Sequence, residues 1–279
     1  MRRKPIIALI YDFDGTLSPG NMQEFGFIQA IGQTPEEFWS KSNGIAKGQD
    51  ASNILAYMKL MFDEARTNGI RLTREGFKRY GKDIKLFDGV RDWFRLVNEY
   101  GERHGVRIEH YINSSGLTEI IEGSPIAREF KHIFAGSYIY NEAGEAEWPG
   151  IAVDYTAKTQ YLFKIQKGIF SSRDAKRVNE SMAEENKRIP FSNMIYFGDG
   201  ETDVPSMKVV SMFGGHTVAV FDPANPAKRA SARKLQRQGR ASFISPANYT
   251  RDSRTFRLVC SIIDKIKADH ELKCLARYR

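Results

Sequence analysis

The chain has 279 residues, 41% of them hydrophobic and 27% charged, with a net charge of +8, close to an ordinary globular protein with a large core. That balance excludes a fibrous, low-complexity or disordered chain, and two cysteines, Cys260 and Cys274, cannot build a disulfide scaffold. The positive charge is concentrated at one end: residues 228–279 hold 14 Lys/Arg against 4 Asp/Glu, and the rest is close to neutral.

A basic start, Met1-Arg-Arg-Lys4, leads into an apolar run that ends at Tyr11 and is followed at once by Asp12 and Asp14. The run is too short to span a bilayer and no small-residue cleavage site follows it, so a soluble, cytoplasmic protein is expected. Lys4–Tyr11 reads as a buried strand opening onto an acidic loop. From Asn21 to Leu86 the apolar residues keep helical spacing (Phe25, Phe27, Ile28, Ile31, then Ile54, Leu55, Met58, Met61), which predicts a separate helical unit.

Strands and helices alternate after that. The pattern predicts a helix over Val90–Tyr100, a strand over Val106–Ile112, a helix from Leu117, and a strand and hairpin from Ile133 through Asn141-Glu-Ala-Gly144 to Trp148. Helices are expected over Tyr155–Gln166 and Arg173–Lys187. A strand over Asn193–Phe197, a helix over Val204–Met212, a strand over Thr217–Phe221, a basic helix over Pro226–Gln238 and a long helix after Ser253 complete the chain. The alternation predicts a doubly wound, mainly parallel α/β sheet of Rossmann-like type over 1–19 and 87–279, with a small separate helical domain over 20–86. Ligands of such sheets sit beyond the carboxyl ends of the strands.

Four groups of residues fall at those ends. Asp12-Phe-Asp14-Gly15-Thr16-Leu17 places two carboxylates two residues apart after a buried strand, where a hard cation such as magnesium relieves their repulsion. Ser114-Ser115-Gly116 follows a strand and opens a helix; it suits a phosphate cradle, and equally an ordinary helix cap. Lys158, near the start of a helix, offers a cation for phosphate and nucleophile. Gly198-Asp199-Gly200-Glu201-Thr202-Asp203 sets a second acidic pair on a flexible turn, without the longer run of acids and closing Glu of a calcium loop. The histidines are scattered and form no HxxxH pair, so a histidine-bound zinc site is not expected.

In order and type these four groups resemble the motifs of the haloacid-dehalogenase superfamily, over about residues 5 to 221. The helical stretch after the first motif is similar to the cap of its phosphoserine-phosphatase-like members. The resemblance implies a phosphohydrolase in which Asp12 attacks phosphorus and Asp14 serves as acid and then base. Asp12, the Asp14 carbonyl and Asp199 would hold Mg2+, with Asp203 in support; Ser114, Ser115 and Lys158 would bind the phosphoryl group. Thr16 and Thr202 would order their loops, and Gly200 would shape the second turn. It also implies a small phosphorylated metabolite as substrate. Asp14 excludes the dehalogenases and phosphonatases of the superfamily, which lack an aspartate there, and leaves a phosphotransferase or phosphomutase as the alternative. Gln23, Glu24, Trp39, Lys41, Lys47 and the hairpin of Tyr138–Trp148 are the candidates for substrate contact, Glu24 foremost. A nucleic-acid-binding role for the basic C-terminal region is not expected, since Phe243, Tyr249 and Phe256 match no binding motif and suit packing of the last strand and helix.

Overall fold

Seven strands make one sheet in the order β4-β3-β2-β1-β5-β6-β7, parallel throughout except for β4 at one edge. They are β1 (Ile6–Tyr11), β2 (Arg107–Leu117), β3 (His132–Tyr140), β4 (Ala146–Ile151), β5 (Met194–Gly198), β6 (His216–Phe221) and β7 (Phe243–Pro246). The computed structural model describes residues 4–276. Alternate residues of β1 feed opposite faces: Ile7, Leu9 and Tyr11 join one apolar core, Ala8 and Ile10 the other. Every residue from Ile7 to Tyr11 is fully buried, which is why this central strand reads as an unbroken apolar run.

Four helices lie between β1 and the next helix of the core: α1 (Phe27–Ala30), α2 (Pro35–Gln49), α3 (Asn53–Thr67) and α4 (Arg74–Gly81). Sequence signals set their ends. Thr34 caps α2 reciprocally with Glu37 and Pro35 fills its first position, while Ser52 and Thr73 accept from Leu55 N and Gly76 N to open α3 and α4. Two further helices follow, α5 (Val90–Arg103) and α6 (Thr118–Gly123). Helices α4 and α6 touch backbone to backbone: a Cβ on Gly81 would lie 2.0 Å from Ile120 O, and one on Gly123 would lie 1.9 Å from Lys78 O. Only glycine fits at that crossing.

The remaining helices are α7 (Ala157–Lys167), α8 (Val204–Met212), α9 (Pro226–Arg237) and α10 (Arg254–Ala276). α5 and α10 bury Trp93, Phe94, Val97, Val259, Ile262 and Ile263 against one sheet face. α7, α8 and α9 bury Leu162, Ile165, Met207, Val210, Ala232 and Leu235 against the other, the layering of a doubly wound fold. Phe243 lies in β7, Phe256 in α10 and Tyr249 in the buried loop between them; Phe256 and Tyr249 both meet the Trp93 ring edge-on. No helix among the described residues is long and apolar enough to cross a membrane.

Three expectations need correction. The helix expected over Arg173–Lys187 is replaced by short 3-10 segments at Ser172–Asn179 and Glu184–Asn186. The segment is rich in charge and has too few apolar residues to bury a face, and the Lys167 ammonium, donating to Val178 O and Glu180 O, holds its chain instead. Ser114 and Ser115 do not open a helix: β2 continues to Leu117, with its register broken between Asn113 and Leu117, and α6 starts at Thr118. The hairpin of β3 and β4 packs on α3, where Tyr138 donates to Met58 O, and Trp148 stays 69% exposed; neither aromatic joins the pocket of the acidic residues.

Candidate active site

The strand order reverses at β1, so the loops after β1, β2 and β5 meet over one crevice. Tyr11 pairs with Ile112 on one side and Phe197 on the other, which brings Asp12 level with Asn113 and Gly198. Asp12 N donates to Phe197 O (2.9 Å), and the chain then turns tightly, with Leu17 N donating to Phe13 O and Gly15 N to Ser18 O. Gly15 makes this turn at φ +73°. A Cβ there would lie 2.3 Å from Asp199 Oδ2, so the bare glycine backbone is what lets the two acidic loops close on each other.

Oxygens of Asp12, Asp199 and Asp203 lie within 4.8 Å of one another. Lys158, fully buried at the second residue of α7, donates to Asp203 Oδ1 (2.7 Å) and forms an ion pair with Asp12 Oδ1 (3.1 Å). Asp203 also accepts from Tyr196 OH (2.8 Å), and Asn113 Nδ2 donates to Lys158 O (3.0 Å) to fix the lysine's backbone. Burial alone would lower the Lys158 pKa, but the charges of Asp12 and Asp203 reverse this and hold it above the usual range as an ammonium. Burial, followed by repulsion from Asp203, pushes Asp12 up to about 7 against the pull of Lys158. Asp14 is held well above the ordinary carboxylate range by burial and by Asp12, although its Oδ1 accepts from Met22 N (2.9 Å). Burial raises Asp199 as well, opposed by an ion pair with Lys228 (2.7 Å).

A pocket of about 450 Å³ opens above these groups. Asp12, Asp14, Ser114, Ser115, Asp199 and Thr202 line it from the core, and Gln23, Glu24, Trp39 and Tyr57 from the helical insert. Ser114 Oγ accepts from Gly116 N (3.1 Å) within the strand irregularity, while the buried Ser115 Oγ has no partner among the described residues and its carbonyl accepts from Tyr57 OH (2.7 Å). Glu24 is held by Asn21 Nδ2 (2.6 Å) and Trp39 Nε1 (2.8 Å). Thr16 is buried; its carbonyl accepts from Tyr249 OH (2.7 Å), whereas its Oγ1 has no partner among the described residues. Gly200 N donates to Asp203 Oδ2 (3.4 Å). Lys41 instead pairs with Glu64 (3.0 Å) and Lys47 is exposed, both outside the pocket lining. A larger, more open groove of about 1100 Å³ along β3 and α7 contains none of these aspartates, so size does not mark the chemical site.

The donor set fits a magnesium ion. Three converging carboxylates offer hard oxygen donors, their mutual repulsion makes a cation welcome, and the bare Gly15 lets Asp199 approach the Asp12 loop. Sequence reasoning gave no role to Asn113, just before Ser114, and missed Asp222 and Asn225 in the loop between β6 and α9 and Lys228 in the first turn of α9, which line the pocket. The rule that ligands gather at strand ends was the available signal, since that loop follows a strand as the others do.

Comparison with known proteins agrees with this geometry. Residues 9–208 match the family model of haloacid dehalogenase-like hydrolases. A protein of Borreliella burgdorferi described as uncharacterized is 28% identical over 288 residues, covering 92% of this chain and 96% of that one. Among solved structures, a substrate-bound phosphoserine phosphatase complex superposes with a TM-score of 0.52 at 16% identity, covering 90% of this chain and 96% of that one. A HAD family hydrolase from Salmonella enterica serovar Typhi gives a TM-score of 0.54 at 16% identity, covering 81% of this chain and 66% of that one. At such identities these two likenesses are of fold.

Proposed function

From the premise that the chain belongs to the haloacid dehalogenase-like hydrolase family, we propose that it is a magnesium-dependent phosphatase of a small phosphomonoester. The supporting observation is the buried Lys158 bound to Asp12 and Asp203 beneath a pocket that also holds Asp14 and Asp199. Such a constellation stabilises charge on a transferring phosphoryl group and does little else well.

Asp12 is the nucleophile: Lys158 on its Oδ1 orients the carboxylate and favours its ionised form, and in-line attack gives an aspartyl-phosphate. Asp14, whose burial beside Asp12 favours the protonated form, gives a proton to the leaving oxygen and then takes one from the water that cleaves the acyl phosphate. Ser114, Ser115 and Lys158 bind the phosphoryl oxygens, the partnerless Ser115 hydroxyl being free to donate. Asp12 and Asp199 would hold Mg2+ together with the Asp14 carbonyl that the family resemblance implies, and Asp203 secures Lys158 in support of that cluster. When bound, the ion offsets negative charge on nucleophile and phosphate. The four insert helices act as the cap, and Glu24, fixed by Trp39 and Asn21, presents an acidic group to the substrate's remaining part.

The test is hydrolysis of p-nitrophenyl phosphate and of a panel of metabolite phosphates, with and without Mg2+, by wild type and Asp12→Asn. Magnesium-dependent release that drops by at least about a thousandfold in the variant is the expected result. Folded protein that releases no phosphate from any member of the panel, with magnesium present, would sink the proposal.

A further inference from the structure

Lys228 has no counterpart among the four motif groups, yet it touches the heart of the site. It lies in the first turn of α9, where the Asn225 side chain accepts from Ala227 N (3.1 Å) and Lys228 N (3.3 Å) and so fixes its backbone. Its Nζ donates to Asp199 Oδ2 at 2.7 Å, and among the described residues it is the only donor that reaches this carboxylate. Resting on the magnesium-site reading above, we propose that Lys228 is a positioning residue that holds Asp199 Oδ2 and lowers the affinity of the site for the ion.

The two lysines of the site differ in a way that decides which one yields. Lys158 is fully buried and pinned by both Asp12 and Asp203, so its charge is a permanent part of the floor. Lys228 has a side chain 49% exposed and reaches Asp199 from the pocket rim on a flexible four-carbon stem. Each carboxylate of the cluster thus has an ammonium, and only the one on Asp199 can swing into solvent at little cost. A hard divalent ion needs the same carboxylate oxygens. An ammonium hydrogen-bonded to one of them either gives up that oxygen or repels the ion across a few ångströms. Lys228 accordingly keeps Asp199 aimed at the cluster, and an ion there would bind against its charge or in exchange for its hydrogen bond.

The experiment is titration calorimetry of Mg2+ and Mn2+ into the full chain as wild type, Lys228→Met and Lys228→Arg, with unfolding temperatures measured with and without Mg2+. Lys228→Met should bind Mg2+ about tenfold more tightly, as expected when a part-buried like charge is removed. It should unfold at lower temperature without the ion and gain more from adding it, while Lys228→Arg stays near wild type. Unchanged or weaker Mg2+ binding by Lys228→Met overturns the inference. So does a raised KM with unaltered metal affinity, which would make Lys228 a substrate contact. If wild type binds Mg2+ and needs it for turnover, such a result defeats this inference alone. If wild type and Lys228→Met show neither metal binding nor turnover, the magnesium reading falls with it.

Discussion

At Gly15 two demands coincide: a left-handed turn at φ +73° and an open face against which the Asp199 carboxylate lies. Gly15→Ala separates stability from chemistry. The turn costs an alanine about 1–2 kcal/mol, a tolerable loss, but its methyl group drives Asp199 out of the cluster. Turnover should fall by about a hundredfold or more, as misplacement by about an ångström does, with only a modest shift in the urea midpoint. Near-normal turnover in a well-folded variant would mean that Asp199 is not held against this turn. Gly15, Asp12 and Asp14 were legible in the sequence because an acidic pair straight after an apolar strand has few structural uses. Lys228 was not, because its partner Asp199 lies 29 residues away, and a lysine in a basic helix looks like any solvated one.

Among the elements, the loop between β7 and α10 does more than connect. Tyr249 N donates to Asp88 O (2.8 Å), its ring meets Trp93 edge-on, and its hydroxyl supports the carbonyl of Thr16 in the loop of the two catalytic candidates. Tyr249→Phe leaves that carbonyl buried without a donor, so unfolding free energy should drop by about 1–2 kcal/mol at constant denaturant slope. An unchanged midpoint would mean that the loop does not depend on this bond. The strands and long helices followed from apolar periodicity, whereas this support did not, because it links residues 233 apart in the chain. The helix expected over Arg173–Lys187 does not form because no apolar face is there to hold one in place.

For the molecule as a whole, a buried polar chain runs beneath β1. Trp93 Nε1 donates to Tyr11 OH (2.8 Å), Tyr11 bonds His110 Nδ1 (3.0 Å), and His110 Nε2 meets Asn98 Oδ1 (3.0 Å). Burial lowers the pKa of His110 from 6.5 to about 3. The unfolded chain therefore takes up a proton below about pH 6.5 that the folded one refuses until near 3, so this contribution to stability is complete above 6.5 and drains away on acidification. At about pH 5 the loss is about 2 kcal/mol. Urea unfolding at about pH 7.5 and pH 5 should show that slope in wild type and a flatter one in His110→Gln; equal slopes would place acid sensitivity elsewhere. The crossing of α4 and α6 bears on a different property, the traffic of substrate. With backbone against backbone and no side chain between them to rearrange, that corner of the insert is welded to the core. At the opposite corner, where Trp39 and Tyr57 on α2 and α3 stand over the acids, α3 meets the core through side-chain hydrogen bonds, Tyr57 to Ser115 O and Tyr138 to Met58 O. On the proposed cap role, widening the pocket mouth means breaking those two bonds while the edge at α4 stays sewn down.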